Sequence, residues 1–425
     1  MAKLPRSPDG REAGRVSIFP PMTGDATYYR KGFGLRAEVQ QTLTADYDGQ
    51  LVDLLLAREH TLSAGPVTIR LAKEFGFCYG VERAVEYAYQ TRAKFPDRRI
   101  FLAGEIIHNP HVNAKLREMG ISFLGPSPTG FDYGPVEAPD VVILPAFGVT
   151  IHDFETLRAR GCVVVDTTCG SVLNVWKRVD VYARDGFTAL IHGKYYHEET
   201  RATASQVEKH PGGTYLVVRD MAQAEDVMAY IAGTFAGGRE AFLAKYVHAA
   251  SPHFDPDTHL RRIGVANQTT MLARESLAIG EAVGATMARV HGEAYRAEHF
   301  RTFDTICSAT QDRQDAVNAL LQEPLDVMVV VGGYNSSNTI SLAALCAERV
   351  TTYHIEDALG IDPATGVIRH RDLGSGQERE LAAWLPADRP VRVGLTAGAS
   401  TPNNKIGETV SRILATRGID PATVT

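Results

Sequence analysis

The residues best suited to chemistry are the cysteines, of which the 425-residue chain has five, and they divide by context. Cys162 opens the run Gly161-Cys-Val-Val-Val, and Cys346 lies on the apolar face of Ser341-Leu-Ala-Ala-Leu-Cys, so both read as small buried hydrophobes. Cys78, Cys169 and Cys307 sit instead at turns, in Phe75-Gly-Phe-Cys-Tyr-Gly, Asp166-Thr-Thr-Cys and Asp304-Thr-Ile-Cys. An odd number of widely spaced thiols is not a disulfide framework and suits a reducing compartment. Three soft thiolates can hold zinc or three irons of a 4Fe–4S cluster, and because none of the pairs has Cys-x-x-Cys spacing, a purely structural role stays open beside both. A cubane held by only three cysteines would keep one iron without a protein thiolate, a Lewis acid for a substrate oxygen.

A second group of residues suits an anion. Asn335-Ser-Ser-Asn338 follows Val329-Val-Val-Gly-Gly-Tyr and precedes the helical run Thr339-Ile-Ser-Leu-Ala-Ala-Leu. Hydroxyls, amides and free backbone N–H groups at a helix start favour negative charge; one cap explains one such residue, not four in a row. Thr396-Ala-Gly-Ala-Ser400-Thr-Pro repeats the design after Val391-Arg-Val-Gly-Leu. His192-Gly-Lys-Tyr-Tyr-His197-Glu-Glu199 and Glu105-Ile-Ile-His108-Asn-Pro-His111 place imidazoles beside carboxylates, a combination that can bind phosphate or deliver a proton. Asn267-Gln-Thr-Thr270 adds further hydroxyls and amides.

Positioning these turns requires strands and helices in alternation, and the chain has them. Val67-Thr-Ile-Arg-Leu, Val141-Val-Ile-Leu, Val163-Val-Val, Ala189-Leu-Ile, Tyr215-Leu-Val-Val, Val327-Met-Val-Val-Val and Val391-Arg-Val-Gly-Leu read as buried strands. Each of the three turn cysteines is followed by an amphipathic helical pattern, such as Val81, Ala84, Val85 and Ala88 after Cys78. We therefore expect an α/β protein of mostly parallel sheets in three modules at 67–168, 169–306 and 307–425. The second carries an insertion near 235–262, the third ends in a helix, and a helical extension over 1–66 stops at Gly65-Pro66. The carboxyl ends of parallel strands collect ligands, so the three cysteine turns are expected to converge.

Taken together and in order, Gly76-Phe-Cys78-Tyr-Gly-Val, Glu105-Ile-Ile-His108-Asn, Asp166-Thr-Thr-Cys169, His197-Glu-Glu199, Gln268-Thr269-Thr, Asp304-Thr-Ile-Cys307-Ser-Ala-Thr, Asn335-Ser-Ser-Asn338 and Thr396-Ala-Gly-Ala-Ser400 resemble the motifs of the 4-hydroxy-3-methylbut-2-enyl diphosphate reductases of the non-mevalonate isoprenoid pathway. The resemblance covers residues 67 to about 417 and points to the longer, plant- and cyanobacterium-like branch. It implies a pseudo-threefold trefoil around a central 4Fe–4S cluster, one per subunit, with Cys78, Cys169 and Cys307 as ligands. It implies reductive loss of the hydroxyl of an allylic diphosphate, with ferredoxin or flavodoxin as electron donor and isopentenyl and dimethylallyl diphosphate as products. Glu199 matches the family's proton-delivering residue and Thr269 the one beside the substrate hydroxyl. His108, His197, Ser336, Ser337, Asn338 and Ser400 match positions that hold the diphosphate. Two departures stand out. Phe147-Gly148 replaces a His-Gly pair common in relatives, and Glu198 stands where a shorter relative would have Pro, a second carboxylate that could compete as proton donor although the alignment favours Glu199.

Composition excludes other classes. With 44% hydrophobic and 22% charged residues, the chain is neither intrinsically disordered nor collagenous. A net charge of −6 gives no reason to expect nucleic-acid binding. There is no signal-peptide pattern and no long uncharged apolar stretch, so a cytoplasmic protein without a membrane partner is expected, a plastid-like compartment remaining open. The rivals are a non-redox iron–sulfur dehydratase and a three-cysteine zinc or cluster-sensing protein without catalysis. The second has no use for Glu199 and two anion turns.

Overall fold

The computed structural model describes residues 27–127 and 130–424; the first part of the N-terminal extension, 1–26, lies outside them. Among the described residues four sheets form: a two-stranded antiparallel ribbon of Pro126–Ser127 and Gly130–Phe131, and three larger sheets whose interiors are parallel. The first has the order Tyr28–Tyr29, Val163–Asp166, Val141–Leu144, Ile100–Leu102, Ile121–Phe123. The second runs Tyr215–Val218, Thr188–His192, Ile263–Asn267, Phe300–Thr302. At the centre of the third are Thr352–Ile355, Val327–Val331, Val391–Ala397 and Val67–Leu71, flanked by antiparallel strands at both edges. Val141–Leu144, Val163–Asp166, Thr188–His192, Ile263–Asn267 and Val327–Val331 are buried along their whole length, as expected of strands covered by helices on both faces.

One assignment differs from the sequence expectation. Val67–Leu71, expected to open the first module, pairs with Val391–Ala397 and lies in the third sheet. The register explains why: Val67, Ile69 and Leu71 stand opposite Val391, Val393 and Leu395, so both strands bury one apolar row in a common core. Within the extension, Arg36–Tyr47 and Gln50–Ala57 form two helices separated by Asp48 and Gly49. The insertion contributes the helices Gly238–Lys245 and Pro256–His259, whose neighbourhood buries Phe242, Tyr246 and Phe254 in the second module's core.

The cores show how the modules are linked. The helix Tyr79–Lys94 begins just after the third sheet's strand Val67–Leu71, yet it packs Ala84, Val85 and Ala88 into the first module. Gly170–Arg184 leaves the first sheet and buries Val175, Val179 and Tyr182 in the second module. Ser308–Leu320 leaves the second sheet and buries Val317 and Leu320 against Met328 and Val330 of the third. Each cysteine turn is therefore the point where the chain crosses from one module to the next.

Candidate active site

Cys78, Cys169 and Cys307 are the N-cap residues of those three crossing helices, all with extended backbone. A helix N-terminus presents unpaired N–H groups and partial positive charge, which favours thiolate over thiol. All three thiols are free and line one cavity. Their approach is close enough to dictate the neighbouring residue: a Cβ on Gly80 would lie 2.6 Å from the Cys169 sulfur and 3.9 Å from that of Cys78. The Ser171 hydroxyl donates to the Cys307 sulfur at 3.3 Å. Burial pushes the Cys78 thiol up, and charge on Cys169 and Cys307 raises it further against the pull of the Val81 N–H and Arg313. Three converging thiolates repel one another, so the donor set calls for a soft cationic group at its centre. By contrast Cys162 and Cys346 are fully buried in apolar clusters, which pushes Cys162 up to about 11 and Cys346 up to about 12.

Three arginines that the sequence reading did not single out brace the joints. Arg83, on the helix after Cys78, donates to the Thr168 carbonyl at 2.6 Å, just before Cys169. Arg313, on the helix after Cys307, donates to the Gly76 carbonyl at 2.8 Å, just before Cys78, and to Ala309 at 2.8 Å. The Arg178 guanidinium, on the helix after Cys169, lies 3.5 Å from the ring centre of Phe303, before Cys307. No local pattern marks them, because their partners are remote in sequence. Arg313 is buried, so Arg313→Met leaves carbonyls unpaired and is expected to cost about 1–3 kcal/mol, read as a lower thermal unfolding midpoint together with weaker retention of bound metal.

The anion turns occupy the other wall of the same cavity. Ser336 caps the helix Ser337–Ala347, accepting from the Thr339 N–H at 3.3 Å and its hydroxyl at 2.9 Å. The Ser400 hydroxyl lies 3.4 Å from that of Ser336 and donates to the His108 carbonyl at 3.3 Å. Gly333 is pressed against the same carbonyl, since a Cβ there would come within 2.5 Å of the His108 oxygen. The Asn338 side-chain oxygen accepts from the Ala399 N–H at 2.9 Å, which fixes the amide. Its nitrogen and the Ser337 hydroxyl are buried without a hydrogen-bond partner. Buried donors left open in this way call for a partner from outside the chain, a ligand or an ordered water. Their electrostatics stay local, which is how a chain of negative net charge can hold an anion.

Glu199 and Thr269 meet between the two walls. The Thr269 N–H donates to Glu199 Oε1 at 2.6 Å and its hydroxyl to Oε2 at 3.0 Å. Burial pushes the Glu199 carboxyl up to about 7 despite these two bonds. Its neighbour behaves oppositely. Glu198 lies 3.5 Å from His108 Nε2 and 4.0 Å from His197 Nδ1. The His108 imidazolium outweighs burial there and draws the Glu198 carboxyl down to about 2. Glu198 is thus an ionised group outside the proton range, and Glu199 is the carboxyl that can carry a proton near neutrality. His197 caps the helix Glu198–Ala204, its Nδ1 accepting from the Glu199 N–H at 3.1 Å. Burial and the charge on His108 keep His197 neutral, with its pKa lowered to about 3.

The eleven residues to which the resemblance gives ligand, proton-delivery or diphosphate roles all line this single cavity, joined by Phe147 and Ser171, whereas His111 and His192 from the other histidine-bearing stretches do not. The LytB protein family model matches residues 69–414. The chain belongs to that family. It is 48% identical over 397 residues to the 4-hydroxy-3-methylbut-2-enyl diphosphate reductase of Gloeobacter violaceus, covering 92% of this chain and 93% of that one. With the enzyme of the same name from Thermosynechococcus vestitus it shares 48% over 395 residues, covering 92% and 95%. The solved E-1-hydroxy-2-methyl-but-2-enyl-4-diphosphate reductase of Plasmodium falciparum superposes with a TM-score of 0.59 at 20% identity, over 81% of this chain and 87% of that one, a likeness of fold.

Proposed function

We propose that this LytB chain reduces (E)-4-hydroxy-3-methylbut-2-enyl diphosphate to isopentenyl and dimethylallyl diphosphate. Two electrons and two protons enter, the C–O bond to the hydroxyl breaks, and water leaves. One observation carries the reading: three thiols at helix N-cap positions, a turn with two open hydrogen-bond donors beside Ser400, and a buried carboxyl near neutrality share one cavity. Neither a zinc-binding nor a sensing protein needs the last two.

Cys78, Cys169 and Cys307 would hold a 4Fe–4S cluster, which supplies single electrons and, at the iron lacking a protein thiolate, a Lewis-acid position. The remaining roles belong to the chain. Ser336, Ser337, Asn338 and Ser400 hold the diphosphate with the imidazoles of His108 and His197, and they orient the hydroxyl end toward Thr269. A proton on Glu199 Oε2 is donated to Thr269 Oγ1, whose own hydrogen is then free for the departing oxygen. Both Glu199 and Thr269 are buried, so this pair can hand a proton on without bulk water between them.

Anaerobic protein given the hydroxylated diphosphate and a one-electron reductant should form both products, with reduced ferredoxin or flavodoxin as the proposed natural donor. Turnover without electrons would favour a dehydratase, and zinc without iron and sulfide would favour the non-catalytic rival. Asn338→Ala removes one open donor and is expected to raise KM about tenfold, more than it lowers kcat. Among the described residues no helix is long and apolar enough to cross a membrane.

A further inference from the structure

We propose that Glu198 is a positioning residue: with Glu105 it holds the His108 ring between two carboxylates, so that His108 offers Nε2–H to the diphosphate as an imidazolium. This rests on the diphosphate reading of the cavity.

The geometry leads. His108 Nδ1 lies 2.9 Å from Glu105 Oε2, and Nε2 lies 3.5 Å from Glu198 Oε2. Both ring nitrogens therefore face acceptors, and only the protonated imidazole has two N–H donors. The contact to Glu198 is an ion pair longer than a hydrogen bond, and Nε2 is buried with no hydrogen-bond partner. That nitrogen is charged yet available. The Phe147 ring stacks on His108 at 4.8 Å and 13°, a face that favours a cation. The backbone cannot shift away, because the His108 carbonyl is held by Ser400 and abuts Gly333.

The charged groups facing His108 come from two elements: Glu105 on its own turn, and His197, Glu198 and Glu199 from the turn and helix starting at His197. Lys194 acts on His197 beyond it, while Phe147, Ser336 and Ser400 are uncharged. Burial alone would push His108 down; the two carboxylates outweigh it and bring it up to about 9. His197 stands at 5.2 Å, nearly perpendicular, and accepts the Glu199 N–H at Nδ1, so one imidazole is cationic and the other neutral. Both carboxylates keep about two-fifths of their side chain exposed, and water screens Glu198 from the incoming anion.

A raised histidine pKa means that the charge is present below it and lost as pH rises through it. Binding of inorganic diphosphate to the anaerobic full-length protein, measured by calorimetry from about pH 6 to 10, should weaken through about 9 in the wild type. In Glu198→Gln that midpoint should move down by one pH unit or more, with affinity about tenfold weaker at pH 8, and Glu198→Asp should restore part of it. The His108 ring resonance, titrated by NMR, should shift in parallel. Glu105→Gln, which removes the other carboxylate, should move the midpoint in the same direction and serves if Glu198→Gln does not fold. An unchanged His108 midpoint in folded Glu198→Gln or Glu105→Gln overturns the proposal. If inorganic diphosphate fails to bind the wild type, the diphosphate reading falls instead, and the NMR midpoint still decides whether Glu198 sets the His108 charge.

Discussion

Glu199→Gln is expected to lower kcat roughly 10²–10⁴-fold, the usual worth of a positioned proton donor, while iron content and visible absorbance stay as in the wild type. The amide can keep both contacts to Thr269, accepting from its N–H and donating to its hydroxyl, so the loss isolates the proton from the geometry. The pH profile follows from the same carboxyl. Its pKa is raised to about 7 by burial, so the acid form is populated below 7 and the rate that uses it falls as pH rises through that value. Glu198 cannot substitute, because its carboxyl is ionised down to about 2. Wild-type turnover by Glu199→Gln would place the proton source elsewhere and overturn the role given to Glu199.

Cys307→Ser and Cys346→Ser should separate completely. A serine hydroxyl does not ionise near neutral pH, so Cys307→Ser removes one of three soft donors at the cavity. Even the outer partners of a metal ligand are worth about 10–100-fold, so loss of the ligand itself should reduce activity by more than that, along with iron, sulfide and visible absorbance. Cys346 is fully buried among Met328, Val330 and Leu342 and touches none of this. Cys346→Ser should cost some stability by burying a hydroxyl in an apolar cluster, yet retain a full complement of iron and sulfide. Equal metal content in the two variants would remove Cys307 from the ligand set.

Much of this site was legible before any coordinates. Continuous runs such as Val327-Met-Val-Val-Val form strands because only full burial tolerates them, and the 3.6-residue pattern after each cysteine forms a helix. The three turn cysteines and the Ser and Asn turns were placed correctly at strand-to-helix junctions for the same local reason. Glu198 and Glu199 could not be told apart in this way: adjacent residues on one short helix have nearly identical local context. Their opposite protonation arises from the burial of Glu199, which outweighs its bonds to Thr269 seventy positions away, and from the His108 imidazole beside Glu198.

The sequence by itself therefore determined the elements, the three thiols at their junctions and the donors suited to an anion, since backbone preference and apolar periodicity act over a few residues. The tertiary structure decided the rest. It moved Val67–Leu71 into the third sheet, because a parallel partner must come from a distant strand. Arg83, Arg178 and Arg313 became braces only once remote turns reached them. The charge on His108 and the proton on Glu199 were likewise set there, because desolvation and Coulomb interaction depend on which groups are packed together, whatever their separation along the chain.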